Sequence, residues 1–159
     1  MRVQLVRGAL CALLFGVFVV LVPAHRATNA QQLWAPSAEA ILTPAGSGSV
    51  EPQLTRTGSR AILSWLEPSG LQTTFRFAER ISAGWSDART VASGKDFMVN
   101  SADVPSVRLL ADGTLAAHWL QQNGPDPESY NVRLSWSKDG GRTWTPPVTP
   151  HHDGKETQH

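Results

Sequence analysis

The residues 151–153 form the first group in this sequence for which metal chemistry has to be considered. His151, His152 and Asp153 are consecutive, and His159 follows a few positions later. Adjacent side chains on a strand point to opposite faces, so consecutive histidines do not easily share one ion. We therefore predict no metal site here, and no other motif in the sequence predicts a cofactor.

The octapeptide SKDGGRTW, residues 137–144, places a carboxylate in a tight turn. Asp139 precedes two glycines, and glycine permits the positive φ that such turns need. The carboxylate can accept hydrogen bonds from turn N–H groups, as in an Asx-turn, with Ser137 and Thr143 holding it from either side. Trp144 is then expected to pack between sheets. These roles are structural, so we do not predict Asp139 to be catalytic.

Other side chains with chemical potential have simpler interpretations. His118 lies in the apolar run AAHWL, where a hydrogen-bonded core histidine is expected. Trp34 and Trp65 have the indole face that sugars stack on, but burial is the usual fate of tryptophan in a chain rich in strands. We predict packing roles for all three.

Residues 1–30 differ in composition from the rest of the chain. Arg2 and Arg7 precede the apolar run Ala9–Val22, and small residues lead up to Ala30. A positively charged start, a short apolar run and small residues before a cleavage point are typical of a secretory signal peptide. The run is shorter than the ~20 residues of an ordinary membrane span. We predict cleavage after Ala30, with retention of the leader as an anchor as the alternative.

Charge and cysteine content exclude two further classes. The chain has 14 basic and 13 acidic residues, and Arg2, Arg7 and Arg26 lie in the leader. The remainder has 11 basic against 13 acidic residues, a net charge of −2, which provides no basic face for nucleic acid. The single cysteine, Cys11, is in the leader, so the exported product has no disulfide and depends on packing.

Residues 50–150 contain an internal repeat with a period of about 55 residues. In chain order, each copy contains a proline near its start, then a tryptophan, then an aromatic residue, and finally a last tryptophan eight positions after that aromatic residue. The second copy is longer because it contains the loop QQNGPDPES. The equivalent pairs are Pro52 with Pro105, Trp65 with Trp119, Phe77 with Trp136, and Trp85 with Trp144.

Short strands account for the pattern within each copy. Val132, Leu134 and Trp136 alternate with polar residues, a period of two that indicates a strand. The runs AILSWL and TLAAHWL are more continuously apolar, as in strands covered on both faces, and turn signals such as EPSG, ADG and DGG separate the runs. No segment after the leader has a helical stripe. We predict an all-β fold of antiparallel strands, with about four strands in each copy.

Four-stranded units that repeat near this period are typical of the blades of a β-propeller. A β-sandwich is the alternative, but it does not account for the internal repeat. We therefore divide the chain into a leader 1–30, a linker or leading strand 31–49, one blade 50–92, a second blade 103–150 and the start of a third at 151–159.

The octapeptide SKDGGRTW matches the pattern S-x-D-x-G-x-T-W at every fixed position. In this it resembles the Asp-box, or BNR repeat, of the sialidase (neuraminidase) superfamily, whose members are glycoside hydrolases built on six-bladed β-propellers. The first copy, AERISAGW, retains only the tryptophan of the motif. In the family this turn lies at the end of a blade away from the substrate. The structural box residues implied by the resemblance are Ser137, Asp139, Gly141, Thr143 and Trp144.

The resemblance also implies where a substrate would bind. Sialidases grip the substrate carboxylate with three arginines, the first in an R-I-P motif at the start of a blade. That slot falls on 103–105, DVP, where Asp103 replaces the arginine and would repel an anionic sugar. The general-acid slot falls near Ser129, with Asp126 and Glu128 beside it. Asp103, Asp126 and Glu128 are therefore the candidate catalytic residues, with a solvated loop as the alternative for the latter two.

Two functions follow from the resemblance, and the sequence leaves both open. One is an exported, periplasmic or extracellular glycoside hydrolase related to exo-sialidases. The other is a non-catalytic propeller that binds a glycan or an exported protein. Because two blades do not close a ring of four to eight, we expect this chain to be the front of a longer protein. The family's nucleophile and remaining arginines would then lie in later blades, leaving this chain inactive alone.

Overall fold

The computed structural model describes residues 37–126 and 129–151. Within these residues the fold is all-β, with antiparallel strands in two sheets and no helix, which confirms the predicted fold class. The described segments accordingly include no helix that could cross a membrane. The predicted leader, Trp34, Glu128 and residues 152–159 lie outside the described part of the chain.

The first sheet is a meander with one short appendage. Its strands are β1 (Val50–Thr57), β2 (Arg60–Ser69), β3 (Gln72–Ile81), β4 (Gly84–Trp85) and β5 (Arg89–Gly94). β3 pairs with β2 over residues 72–79, with β5 over residues 73–77 and with β4 at its last two residues. This sheet has five strands, where about four were predicted for the first copy; the additional one is the two-residue β4. β5 continues two residues past the predicted boundary at 92.

The second sheet has three strands: β6 (Ser106–Leu109), β7 (Leu115–Gln122) and β8 (Tyr130–Ser137). The fourth strand predicted for this copy is reduced to a single bridge, in which Leu134 and Val148 exchange two backbone hydrogen bonds of 2.8 Å. Pro146 and Pro147 immediately precede Val148. Proline has no N–H to donate to a ladder, which explains why the pairing is so short.

The hydrophobic core lies between the two sheets. Thr55 donates a hydrogen bond to the Val107 carbonyl at 2.6 Å, and Thr57 donates to the Leu109 carbonyl at 2.9 Å, so β1 and β6 lie side by side where the sheets meet. Each large apolar side chain that is fully buried there contributes about 1.5–3 kcal/mol to stability. The core residues are Ile62, Leu66, Phe75, Phe77, Val91, Phe97, Val107, Leu115, Ala117 and Trp119.

Trp119 is the aromatic centre of this core. Its ring lies 6.1 Å from Phe75 in a tilted arrangement and 6.1 Å from Phe97 in a stacked one. Phe97 comes from the segment that connects the two sheets, and the Met98 N–H donates to the Leu120 carbonyl at 3.1 Å. The connection between the sheets is therefore anchored at residues 97–98.

β8 alternates with the predicted period of two, but its serines are the more deeply buried residues. Ser135 and Ser137 are each 2% exposed and face the first sheet. The Ser135 hydroxyl donates to the Thr145 carbonyl at 2.7 Å, which removes the cost of burying an unpaired polar group. The apolar residues of the strand occupy the other face and are partly exposed: Val132, Leu134 and Trp136.

Trp65 packs on the side of the first sheet that faces away from the second. It is 1% exposed, and its indole N–H donates to Glu67 at 2.8 Å. Residues 43–50 lie beside it and line a cavity of 280 Å³. The described part of the predicted linker, 37–49, forms no strand. Trp65 thus has the packing role that its apolar run predicted.

Candidate functional site

The Asp139 turn, residues 137–144, is organised around one carboxylate. Asp139 Oδ1 accepts hydrogen bonds from the backbone N–H groups of Arg142 and Thr143, both at 3.0 Å, and from the Ser137 hydroxyl at 2.8 Å. Asp139 Oδ2 accepts from the Thr143 hydroxyl at 2.6 Å. The Thr143 hydroxyl, the Thr143 N–H and the Ser137 hydroxyl together hold the pKa of Asp139 well below its ordinary value.

The Asp139 turn is docked against the first sheet. Gly140 and Gly141 have φ of +73° and +84°, and the Gly141 N–H donates to the Ser137 hydroxyl at 2.8 Å. A Cβ atom at Gly141 would come within 2.4 Å of the Phe77 ring. Arg89 donates to the Gly140 carbonyl at 2.6 Å, and its guanidinium carbon lies 5.9 Å from the Phe77 centroid. The turn therefore joins two sheets.

Trp144 ends the same turn and packs on the same phenylalanine. Its ring meets Phe77 edge to face, with centroids 6.0 Å apart and planes at 88°. The indole is partly buried against the core, and its N–H has no hydrogen-bond partner among the described residues. Apolar contact alone thus holds Trp144 between the sheets.

The equivalent turn of the first sheet, residues 80–85, is built differently and is called the Arg80 turn here. Arg80 Nη1 donates to the carbonyls of Ile81 and Gly84, and Arg80 pairs with Trp85 across the β3–β4 hairpin. A guanidinium that donates to carbonyls has replaced a carboxylate that accepts from N–H groups. The neighbouring strands β1 and β6 run in the same direction, and β3 and β8 are each two antiparallel pairings away from them, so β3 and β8 also run in the same direction. The turns that follow β3 and β8 therefore lie at the same end of the sheets.

An open groove of 580 Å³ adjoins the Arg80 turn. Residues 39–44 form one wall, and residues 80 and 82–88 form the other. Trp85 and Asp87 contribute an indole and a carboxylate, but Asp87 is exposed and Leu42 is 92% exposed. None of the described residues that line the groove is buried, so these groups are open to solvent.

The opposite end of the sheets contains a buried carboxyl group that the sequence did not single out. Glu51, the second residue of β1, is 8% exposed, and neither carboxylate oxygen has a hydrogen-bond partner among the described residues. Its φ of +53° is rare for a residue other than glycine. It lies where the β1–β2 register shifts, between Val50 and Gln53. Burying an unpaired carboxylate is costly, so this position is exceptional.

The surroundings of Glu51 favour its uncharged form. Burial raises the pKa of Glu51 to about 7, and the negative charge of Asp103 adds to this rise. The backbone N–H of Asn100, which is near the carboxyl group but outside hydrogen-bonding geometry, opposes it. Tyr130, at the start of β8, is 4% exposed. Burial raises the pKa of Tyr130, with a further contribution from Asp103. A carboxyl group, a carboxylate and a phenol are therefore grouped at this end.

The three candidate catalytic residues have different surroundings. Asp103 is partly buried and lies in the electrostatic field shared with Glu51. Asp126 is exposed in the loop between β7 and β8, and its carbonyl accepts from the Ser129 N–H at 3.0 Å. Glu128 lies outside the described residues. Asp103 is thus the candidate that the fold places next to an unusual carboxyl group.

The histidines considered for other roles lie in separate places. His118, on β7, is partly buried; burial lowers its pKa, and the charge of Arg108 lowers it further. His151 Nε2 lies 3.3 Å from the Asn131 side-chain oxygen. Within 37–126 and 129–151, no three His, Cys, Asp or Glu side chains are arranged to hold a metal ion.

One feature of the sequence marks Glu51 in retrospect. Pro52 and Pro105 are equivalent in the repeat, so Glu51 is equivalent to Val104. A charged residue therefore occupies a position that the other copy fills with an apolar one. Such a mismatch between copies indicates either an exposed position or an unusual buried environment. Glu51 is buried, so its environment is unusual.

Comparison of the chain with protein-family models, with curated proteins and with solved structures yielded no match.

Proposed function

We propose that this chain is an exported Asp-box β-propeller protein of the sialidase type, and that it binds a glycan at the end of the sheets where Glu51 and Asp103 lie. The observation that carries the proposal is the way in which the two sheets stack. Sequence-equivalent faces do not meet each other: the face of the first sheet that contacts the second corresponds, in the repeat, to the face of the second sheet that points away from the first.

The repeat defines this stacking residue by residue. Leu66 and Phe77 are 1% and 0% exposed on the face of the first sheet that contacts the second. Their equivalents, Leu120 and Trp136, lie on the face of the second sheet that points away from the first. The inner face of one sheet therefore corresponds to the outer face of the next.

The tryptophans of the repeat show the same correspondence, because equivalent tryptophans lie on the contacting face of one sheet and on the non-contacting face of the other. Trp119 packs on the first sheet through Phe75. Its equivalent, Trp65, lies on the face of the first sheet that points away from the second, beside residues 43–50. A β-sandwich buries two inner faces against each other and leaves the outer faces to solvent. Head-to-tail stacking is instead the arrangement that a propeller repeats until it closes.

The Asp139 turn supports the same architecture. It connects β8 to the strand position occupied by Val148, and it braces the second sheet on Phe77 and Arg89 of the first. A motif that ties each sheet to its predecessor is useful in a fold made of radially stacked sheets. The hydrogen bonds that the Asp139 carboxylate accepts all come from groups of the turn itself, so the proposed role of the motif is structural.

The charges at the Glu51 end favour a ligand without a carboxylate. Asp103 occupies the slot at which the sialidase family carries its first substrate-gripping arginine, and Glu51 adds a second carboxyl group nearby. Arginine binds carboxylates bidentately, whereas an aspartate repels them. We propose a neutral or amine-bearing sugar, bound through hydrogen bonds that its hydroxyl or amino groups donate to Asp103.

Direct binding of oligosaccharides tests this assignment. The full exported chain is applied to immobilised neutral, amine-bearing and sialylated oligosaccharides of equal length. We expect neutral or amine-bearing glycans to bind and sialylated ones to bind at least about tenfold more weakly, since one lost charge-assisted contact is worth about 1.5–3 kcal/mol. Asp103→Asn should weaken binding, whereas Asp112→Asn, in the β6–β7 turn at the opposite end, should not. Preferential binding of sialylated glycans, or binding that ignores Asp103, would contradict the proposal.

Hydrolysis is the second candidate function, and the raised pKa of Glu51 favours it. Glycoside hydrolases commonly use two carboxyl groups whose pKa values are pushed apart by their environments. Glu51 has such a raised pKa, about 7, and the negative charge of Asp103 contributes to it. Release of nitrophenol from nitrophenyl glycosides measures turnover, and Glu51→Gln should abolish it. Glycan binding without any turnover would exclude hydrolysis and support only the binding function.

Export is tested separately from ligand binding. The exported product should begin at Gln31, and its intact mass measures the cleavage point. Secreted protein that still contains Met1 to Val22 would replace cleavage with anchoring.

A further inference from the structure

The contact between the two sheets shows which positions of the repeat are buried when a neighbouring sheet covers them. Phe75 and Phe77, on β3, are fully buried in the core, and both contact aromatic rings that follow or belong to the second sheet. Val107, on β6, is fully buried in the same core from the side of the second sheet. This contact is therefore the reference for the two sheet faces that lie outside it.

The face of the second sheet that points away from the first is apolar and incompletely covered. Leu134 is the repeat equivalent of Phe75, and it is partly exposed. Trp136, the equivalent of Phe77, is also partly exposed. Val148 bridges to Leu134, so it shares this face, and it is 46% exposed. These three residues of the second repeat copy define the open face of the second sheet.

The face of the first sheet that points away from the second has the complementary half of the pattern. Leu54, on β1, pairs with Leu63 on β2, and both lie on the Trp65 side of the sheet. Leu54 is the repeat equivalent of the fully buried Val107, but it is 61% exposed. A single exposed leucine is ordinary, whereas one at a position that the other repeat copy buries between sheets indicates a missing neighbour. Leu54 and Leu63 define the open face of the first sheet.

The segment before β1 is compatible with a sheet on this face. Residues 43–50 lead into the first sheet as the segment that contains Phe97 leads into the second. Phe97 stacks on Trp119, and residues 43–50 line a cavity beside the equivalent tryptophan, Trp65. In both repeat copies the preceding segment lies at the tryptophan of its own sheet. The second sheet packs on the first in spite of this segment, so Leu54 is equally accessible to a neighbouring sheet.

We propose that a second molecule of this chain docks on the open face of the second sheet through the open face of its own first sheet. The contact repeats the one inside the molecule: Leu54 of the second molecule takes the place of Val107 and packs toward Trp136. The occupant is another molecule of this chain because its first sheet has, at sequence-equivalent positions, the face that the second sheet uses inside the molecule. The proposal rests on the head-to-tail stacking in the proposed function and not on glycan binding.

A contact of this kind propagates until it closes on itself. It joins two different faces, so it is heterologous, and each added molecule brings a new open face with it. Propeller rings contain four to eight sheets, so molecules that contribute two sheets each close as two, three or four. Closure covers the open faces of both sheets, which removes exposed apolar surface that favours association.

The mass of the full exported chain in solution tests the assembly. Light scattering after size exclusion, together with native mass spectrometry, should give one discrete species of two, three or four chains. A single-chain mass at every concentration, as expected if further sheets of a longer chain were the natural neighbours, would overturn the proposal. Glycan binding by that single chain would leave the proposed function intact, so the two failures are distinguishable.

Two variants place a charge on one open face each. Leu54→Arg changes the first sheet and Val148→Arg the second, both at exposed positions, so circular dichroism should show an unchanged fold. Each variant alone lacks one of the two faces needed for every contact and should have the mass of one chain, because burying an unpaired charge is costly. Leu71→Arg is the matched control: it lies in the β2–β3 turn, is 83% exposed and should assemble normally. Assembly by either face variant, or loss of assembly in the control, would overturn the proposal.

Mixing the two face variants tests whether the contact is heterologous. In the mixture, the intact second sheet of Leu54→Arg chains meets the intact first sheet of Val148→Arg chains, which restores one contact and no ring. We expect a complex of one chain of each variant, identified by isotope labelling of one of them. It should dissociate at higher concentration than the unmodified assembly, in which two contacts hold each chain. A mixture that stays as single chains, or that forms the full assembly, would contradict a contact between these two faces.

Discussion

The Asp139 turn and the Arg80 turn occupy the same place in the two sheets, yet they are stabilised in opposite ways. In the first, a carboxylate accepts four hydrogen bonds from groups of the turn. In the second, a guanidinium donates to two carbonyls. The first turn packs on the neighbouring sheet through Gly141 and Trp144, whereas the second forms the wall of an open groove.

The difference shows what the Asp139 turn contributes beyond closing a hairpin. Two residues of the Arg80 turn, Ser82 and Ala83, suffice to connect β3 with β4. The longer Asp139 turn exposes the Gly140 carbonyl to Arg89 and brings a tryptophan onto Phe77. Its carboxylate therefore contributes indirectly to the contact between the sheets. It sets the turn geometry that allows the glycine and the indole to reach the other sheet.

The largest expected effect is a difference in unfolding free energy between alanine variants of the two turn tryptophans, Trp144 and Trp85. Trp144→Ala removes an indole from between the sheets and should lower the free energy of unfolding by about 3 kcal/mol, at the lower end for buried aromatics because Trp144 is partly exposed. Trp85→Ala, in a groove wall, should cost about 1 kcal/mol. Denaturant unfolding of the two variants makes the comparison. Equal losses of unfolding free energy in the two variants would show that the Asp139 turn does not brace the sheets more than the Arg80 turn does.

The glycines provide the next test. Gly141 and Gly84 both have positive φ, at +84° and +134°, so alanine strains either backbone. A methyl group at Gly141 would also collide with Phe77, whereas nothing lies within 4 Å of one at Gly84. Gly141→Ala should therefore destabilise the fold by about 1–3 kcal/mol more than Gly84→Ala. Thermal unfolding measures the difference, and similar melting temperatures would place the Phe77 contact in doubt.

The smallest effect is expected at the two organising side chains. Asp139→Asn retains one acceptor oxygen but loses the charge, so the unfolding midpoint should fall, by less than for Gly141→Ala because solvent reaches the turn. Arg80→Gln should lower it less still, since it removes local contacts only. Neither change should alter glycan binding per folded molecule, because both turns lie at the end opposite Glu51. Lost binding with unchanged stability would assign Asp139 to the site.

The acid dependence of the Asp139 contribution has a definite sign. Its folded-state pKa is lowered by the Thr143 and Ser137 hydrogen bonds. The stabilisation is therefore present above the unfolded-state pKa of 3.8 and is lost as pH falls toward the folded-state value. Urea unfolding of the unmodified chain and of Asp139→Asn should converge as the solution is acidified below pH 3.8. A gap that stays constant with pH would show that the carboxylate charge is not involved.

Much of the Asp139 turn was predictable because its contacts are local. Ser137, Asp139 and Thr143 lie within seven consecutive residues, and the two glycines between them allow a single compact turn. The strand periods were readable for the same reason, since alternation is a property of neighbouring residues. The all-β class follows from those periods together with the turn signals.

The candidate site was predictable only in part because its contacts are distant along the chain. Asp103 was selected through a motif position, but Glu51 becomes exceptional only through its burial and through the charge of Asp103, which is about fifty residues away along the chain. Neither its lost solvation nor the field of Asp103 is visible in the tripeptide VEP. Sequence comparison between the two copies marked the position without indicating whether the carboxyl group was buried.

The division between sequence and tertiary structure is clearest in β8. Alternation by itself determined that Leu134 and Trp136 share one face and that Ser135 and Ser137 share the other. Only the packing of the sheets decided which face turns to the core, and it chose the serines. The physical reason is that both serine hydroxyls find acceptors there, Ser135 at the Thr145 carbonyl and Ser137 at the Asp139 carboxylate. The larger apolar residues are thereby left on the opposite face of the sheet.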